Sequence, residues 1–170
     1  GEAFFKLVKA NEDRLQDYFP LTLKANSSPA ASEFFVRQQL SDWLLQKGFA
    51  FGIWHQKDEK LIGHILLKNT DWSIPKAELA YFLDETYLQK GLMTEAAQVI
   101  VPFAFQQLQL LKVYLYTSPD NTASRRLVTN IGFRPVGTLQ QNYRRPDGIA
   151  VDMVLYEITA SESSMMDRSS

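Results

Sequence analysis

The chain has 170 residues, 45% of them apolar and 12% aromatic, enough for one domain with a packed core. Eighteen Lys and Arg against nineteen Asp and Glu leave a formal charge of -1, which gives no bulk push toward nucleic acid or an anionic membrane. The absence of cysteine excludes disulfide frameworks, thiolate metal sites and a cysteine nucleophile together.

In chain order, AFFKLV (3 to 8) has the look of a short strand and NEDRLQDYF (11 to 19) of a helix begun by Asn11. SSPAASEFFVRQQLSDWLLQKG (27 to 48) predicts a helix. Ser28 caps it, Pro29 sits in the tolerated first turn, Phe34, Phe35, Leu40, Trp43 and Leu44 are its apolar positions, and Gly48 ends it. FAFGIWHQ (49 to 56), KDEK and KLIGHILLKN (60 to 69) form a predicted hairpin, and AELAYFLD (77 to 84) another strand. An apolar helix follows QKG, LKVYLYTS (111 to 118) is strand-like, and NTASRRLVTNIG (121 to 132) is a helix from Asn121 or Thr122 to Gly132. FRPVGTLQQNYRR and IAVDMVLYEIT are strands joined by the turn PDG at 146 to 148. The order β α α β β β α β α β β predicts an α/β (α+β) sandwich with a mixed, mostly antiparallel sheet of about seven strands and about four helices. Residues 1 to 160 are expected to form a single domain, and 161 to 170, polar and aperiodic, a disordered tail. No apolar run reaches the roughly 18 residues that span a bilayer, and the expected location is the cytoplasm.

Gly91 stands at the entrance of the helix that follows the strand 77 to 84. Free N–H groups at such an entrance carry partial positive charge, glycine lets a ligand approach the backbone, and Lys90 adds a full charge. Taken alone, the glycine is explained more simply by a turn before an ordinary amphipathic helix. Neither the Walker A pattern nor GxGxxG is present, so nucleotide hydrolysis and Rossmann-type dehydrogenation have no support.

Two stretches narrow the choice. ELAYFLDETYLQKGLMTEA holds Tyr81, Leu83, Asp84 and Gly91 in a YxLDxxxxxxG register, and DNTASRRLVTNIGF holds Asp120, Asn121, Ser124, Gly132 and Phe133 in a DNxxSxxxxxxxGF register. Together they resemble the GNAT N-acetyltransferases, and most closely the RimJ/RimL type that acetylates ribosomal-protein N-termini. The resemblance runs over the whole ordered chain and implies a three-layer GNAT-like sandwich, acetyl-coenzyme A as co-substrate and a primary amine as acceptor. That amine is a protein N-terminus or a small amine such as a polyamine or aminoglycoside. A catalytically silent acyl-coenzyme A-binding member of the fold is the alternative of a different class.

The superfamily loop usually carries Arg or Gln, two variable residues, Gly, one variable residue and Gly or Ala. This chain has Leu88, Gly91 and Met93 there, so main-chain N–H groups from Gln89 to Thr94 must do most of the binding. The resemblance implies a cofactor surface made by Phe82, Leu83, Gln89, Lys90, Gly91, Leu92, Met93, Thr94, Asn121 and Ser124. No covalent enzyme intermediate is needed. Glu78, on one strand face with Ala80 and Phe82, is the candidate base. Its plainer role is a solvated carboxylate at a sheet edge. Ser124 is the candidate hydrogen-bond partner of the leaving sulfur, and its plainer role is a helix cap. Asn121 would cap its helix and contact the pantetheine arm. Asp84 and Glu85 are read as capping or turn residues, because negative charge at the phosphate end would repel the cofactor. His55 and His64 are too few and scattered for a metal site. Arg125, Arg126, Arg144 and Arg145 belong to a solvated face, with a cofactor phosphate or an acidic acceptor as the other reading. No nucleic-acid, membrane or metal partner is expected, while an exposed late strand or the closing hairpin could support a homodimer.

Overall fold

The computed structural model describes residues 1–167, with side chains through 163. Six strands form one sheet in the order β1-β2-β3-β4-β6-β5: β1 Phe49–His55, β2 Lys60–Asp71, β3 Lys76–Leu83, β4 Lys112–Thr117, β5 Arg134–Arg144 and β6 Ala150–Thr159. Every neighbouring pair is antiparallel except β3 with β4. The helices are α1 Glu2–Ala10, α2 Glu12–Leu15, α3 Pro20–Ala25, α4 Pro29–Leu44, α5 Leu92–Gln106, α6 Thr122–Asn130 and α7 Ala160–Asp167, with a 3-10 turn at Glu85–Tyr87.

The sheet has six strands because AFFKLV is part of helix α1 rather than a strand. Its buried residues are Phe4, Leu7 and Val8, the i, i+3, i+4 spacing of one helical face. The helix expected over 11 to 19 stops at Leu15, and Pro20 at a helix start opens the separate α3. Residues 161–167, expected as unstructured tail, continue β6 as α7; the remainder of that expected tail, 168–170, lies outside the described residues.

Helix α4 begins as its sequence dictates, with the Ser28 hydroxyl accepting the Ala31 N–H at 3.1 Å. Its apolar residues divide among three surfaces. Phe35 and Val36 pack on a small core, Trp43 packs on the main core, and Phe34, Leu40 and Leu44 stay 69%, 61% and 83% exposed.

Two apolar cores sandwich the sheet. The larger joins β2, β3 and β4 to α5 through residues such as Leu67, Leu79, Ala97 and Val113, while the smaller joins Leu61 and Phe82 to Phe4, Leu7, Val8 and Leu15. An irregularity in the β1–β2 ladder at Ile53/Trp54 resets the side-chain alternation of β2. Leu61 therefore joins the small core although Ile65 and Leu67 face the large one. On β3 the same alternation sends Leu79 and Tyr81 toward α5 and α6, and Glu78, Ala80 and Phe82 toward α1–α3. Among the described residues, no helix is long and apolar enough to cross a membrane.

Candidate active site

The one parallel pair in the sheet is short. β3 and β4 match at Lys76–Lys112, Ala77–Val113 and Glu78–Tyr114, and the ladder ends there. β3 remains paired with β2 as far as Leu83, and β4 with β6 as far as Thr117. Beyond Glu78 the two strands part, leaving facing edges whose N–H and C=O groups can pair with an extended guest. The parting forms a cleft of about 1090 Å³ lined by β3, the loop to α5, the end of β4 and the start of α6.

At one end of the cleft, Gly91 caps α5 with φ 76° and ψ -6°, a left-handed conformation that glycine adopts without Cβ strain. Gln89 is also left-handed, at φ 59°. The first helical bond runs from the Glu95 N–H to the Gly91 carbonyl at 3.0 Å, so the N–H groups of Leu92, Met93 and Thr94 precede the ladder and point out of the helix entrance. A Cβ built on Gly91 would have no atom within 4 Å, so the surface before these donors is open. That combination suits an anionic group. Met93 is buried and Leu92 packs on the main core, which leaves their main chain to face the cleft.

The expected charge of Lys90 is partly engaged elsewhere. Its ammonium donates to the Thr86 carbonyl at 2.9 Å and lies 5.0 Å from the Tyr87 ring centre. Asp84 is buried and accepts from Lys60 Nζ at 2.9 Å, from the Thr86 N–H at 3.0 Å and from the Thr86 hydroxyl at 2.8 Å. It caps the 3-10 turn rather than facing a phosphate. Arg14 donates to the Leu83 carbonyl at 3.1 Å and so holds the end of β3.

Glu78 stands where the strands part. Its Oε2 accepts from Asn69 Nδ2 at 2.8 Å and its Oε1 lies 3.1 Å from Lys68 Nζ. Lys68 is its cross-strand partner, and the irregularity that follows in β2 places Asn69 at φ 52° with its amide beside the carboxylate. The Glu78 side chain is only 15% exposed, which distinguishes it from a fully solvated edge residue.

Ser124 and Asn121 divide the capping and the hydroxyl between them. Asn121 Oδ1 accepts the Ser124 N–H at 3.0 Å and caps α6. The Ser124 hydroxyl instead meets the Tyr81 hydroxyl at 2.7 Å, across the gap between α6 and β3. Burial pushes the Tyr81 phenol up to about 12, with the Ser124 bond opposing in part. All of the sequence-selected residues, Glu78, Phe82, Leu83, Gln89 through Thr94, Asn121 and Ser124, line this cleft. Phe82 does so from a strand whose ring packs on Phe4, Phe19 and His64 in the small core.

Sequence reasoning missed the cover of the cleft. Tyr18 stacks on Tyr143 at 5.6 Å, the Tyr143 hydroxyl donates to the Asp17 carbonyl at 2.7 Å, and Arg145 lies 3.9 Å from the Asp17 carboxylate. The β5–β6 hairpin thus reaches the α2–α3 connection over the face that carries Glu78. Tyr81 was visible in its motif but had no assigned role. Of the four arginines noted in the sequence, Arg126 lines the cleft. Arg125 is bound to Pro119 and Tyr156, Arg144 to Gly148, and Arg145 to Asp147.

Comparison with known proteins agrees with this architecture. YjcK of Bacillus subtilis strain 168, provisionally named an N-acetyltransferase, is 33% identical over 97 residues, which span 56% of this chain and 54% of that protein. YdaF of the same organism, whose name provisionally assigns it as a ribosomal N-acetyltransferase, is 27% identical over 166 residues, 95% of this chain and 87% of its own length. The ribosomal-protein-S5-alanine acetyltransferase of Vibrio fischeri superposes with a TM-score of 0.88 at 20% identity, covering 95% of this chain and 88% of that one. RimJ of Mycobacterium smegmatis, solved with coenzyme A disulfide, gives 0.83 at 21% identity over 94% and 77%. The family profile described as the acetyltransferase (GNAT) domain matches residues 2–134, and the chain therefore belongs to the GNAT N-acetyltransferases.

Proposed function

We propose that the cleft holds acetyl-coenzyme A and that the enzyme transfers its acetyl group to the α-amine of a protein N-terminus, as in the RimJ/RimL type. The observation that carries this reading is the alignment of one cleft with two ends. The free N–H groups of α5 suit a pyrophosphate at one end, and Glu78 marks the other, where β3 and β4 separate. Between them, the unpaired strand edges suit the amides of a pantetheine arm.

Acetyl-coenzyme A supplies an activated acyl group, and the chain supplies position and proton handling. An α-amine with a pKa of about 8 is mostly protonated at neutral pH and must lose a proton before it attacks. Glu78 takes that proton, since a carboxylate holding Lys68 and Asn69 retains free lone pairs. The nitrogen bonds to the acyl carbon as the C–S bond breaks, the sulfur keeps the electron pair and accepts a hydrogen bond from the Ser124 hydroxyl, and the proton that the acylated nitrogen then sheds passes to the thiolate, giving the amide and the free thiol.

The charge of the cleft favours a peptide over a polyamine. Among the described residues, its lining contains Arg14, Lys68, Lys90 and Arg126 but a single carboxylate, Glu78, and that one is already paired with Lys68. Several ammonium groups along a polyamine would find no partners and would meet like charge. The test is acetyl-coenzyme A turnover, read as thiol release, with N-terminal peptides, lysine peptides, polyamines and aminoglycosides. Turnover is expected with N-terminal peptides; turnover confined to polyamines or aminoglycosides would move the assignment to small amines, and tight binding with no turnover would remove the roles given to Glu78 and Ser124.

A further inference from the structure

We infer that Tyr81 is a positioning residue for the acetyl-transfer step: it donates its hydroxyl hydrogen to Ser124 Oγ and thereby aims the Ser124 hydrogen into the cleft, toward the departing sulfur. The inference rests on the acetyl-coenzyme A reading above and assigns work to a residue outside the cofactor surface implied by the two motifs.

A serine hydroxyl carries one hydrogen and two lone pairs. If Ser124 gave its hydrogen to Tyr81, a thiolate arriving in the cleft would face oxygen lone pairs and be repelled. If Tyr81 is the donor, the Ser124 hydrogen is free and one Ser124 lone pair is satisfied. The relative acidity of the two groups favours the second arrangement, and two observations leave it open to form. Of the two hydroxyls, 2.7 Å apart, the phenol is the more acidic and hence the better donor. Burial raises its pKa to about 12, so it keeps its hydrogen throughout the working pH range. The competing duty of Ser124, capping α6, is performed by Asn121 Oδ1, so the serine side chain is not drawn back onto its own helix. Among the described residues, Tyr81 is the hydrogen-bond partner of the Ser124 hydroxyl, and both residues line the cleft. The placement follows from the strand alternation that puts Tyr81 on the α6 side of β3, opposite to Glu78. The base and the sulfur's partner therefore approach the cleft from the two faces of one strand.

The readout is the thiol pKa of coenzyme A bound to the protein, followed by the ultraviolet absorbance of the thiolate, which needs no acceptor. Coenzyme A binding to the unaltered protein is measured first by calorimetric titration; absence of binding would overturn the acetyl-coenzyme A reading and this inference with it. Given binding, Tyr81→Phe is expected to raise the bound thiol pKa by about half a unit to one unit, a roughly three- to tenfold change in the ionisation constant, the scale of one hydrogen bond. Ser124→Ala should raise it at least as much, and Tyr81→Phe should add nothing in the Ser124→Ala background. The Kd for coenzyme A should change less than threefold, roughly, in Tyr81→Phe, because the ring remains. An unchanged thiol pKa in Tyr81→Phe would overturn the inference while leaving the cofactor assignment intact. Equal shifts with and without Ser124 would also overturn it, since Tyr81 would then act on the sulfur directly or through packing.

Discussion

Replacing Gly91 separates the backbone geometry of the α5 entrance from its proposed use as an anion seat. The residue sits at φ 76° and ψ -6°, where a Cβ costs roughly 1–2 kcal/mol and a β-branched side chain more. Nothing lies within 4 Å of a Cβ built there, so Gly91→Ala should destabilise the free protein by this strain alone, about 1 kcal/mol. For a chain of this size that lowers the Tm by about 2–4 °C. The open space is also the approach to the N–H groups of Leu92, Met93 and Thr94. Gly91→Val fills it and should cost one or two hydrogen bonds to a charged group, each worth about 1.5–3 kcal/mol, so that coenzyme A affinity falls roughly 10- to 100-fold or more. Calorimetric titration with coenzyme A and thermal melts of the free protein measure the two effects independently. Wild-type affinity in Gly91→Val would refute the phosphate seat, and a Tm loss in Gly91→Ala several times larger than stated would refute the open space.

Glu78→Gln should retain the fold, because the ion pair it removes has a Lys68 partner 44% exposed and pairs of that kind are worth about 0–1 kcal/mol. Its turnover should follow the free-base fraction of the acceptor, falling about 15-fold from pH 8 to about pH 6.5 for an α-amine, while the unaltered enzyme changes far less; parallel pH profiles would remove Glu78 from proton transfer. A separate prediction concerns acid stability. His64 is buried against Phe4, Phe35 and Phe82, and desolvation lowers its pKa from 6.5 to about 4. Between these values the unfolded chain binds a proton that the native residue does not, so stability is lost as pH falls through this window, in total on the order of 3 kcal/mol. His64→Leu should flatten the dependence of Tm on pH between about 7 and 5 relative to the unaltered protein; an identical dependence in both would show that other groups carry it.

The parts of the fold set by local chemistry were readable from the residues that set them. Ser28 and Pro29 start α4, Gly91 starts α5, Asn121 caps α6, and Gly148 at φ 85° turns the last hairpin. AFFKLV suits a short strand as well as a helical face carrying Phe4, Leu7 and Val8, and what decides is contact with α4 and β2. The site shows the same division. Gly91 and Ser124 lie in motifs with fixed spacing, whereas the partners of Glu78 depend on a cross-strand register and on Asn69 in a left-handed conformation, and neither leaves a mark in a window of sequence. The Tyr18–Tyr143 stack joins opposite ends of the chain and has no local signal at all. Tyr81 is the intermediate case: its face on β3 follows from alternation, but its bond to Ser124 requires the parting of β3 and β4.

Acetyl transfer from this cleft to an α-amine, as proposed, distinguishes an N-terminal nitrogen from a lysine side chain. One peptide carrying both a free N-terminus and an internal lysine, incubated with the enzyme and acetyl-coenzyme A and mapped by tandem mass spectrometry, tests it most directly. A single enzyme-dependent acetyl group on the N-terminal nitrogen is expected. Acetylation confined to the lysine, or the same low modification with and without enzyme for every N-terminal sequence tried, would contradict it.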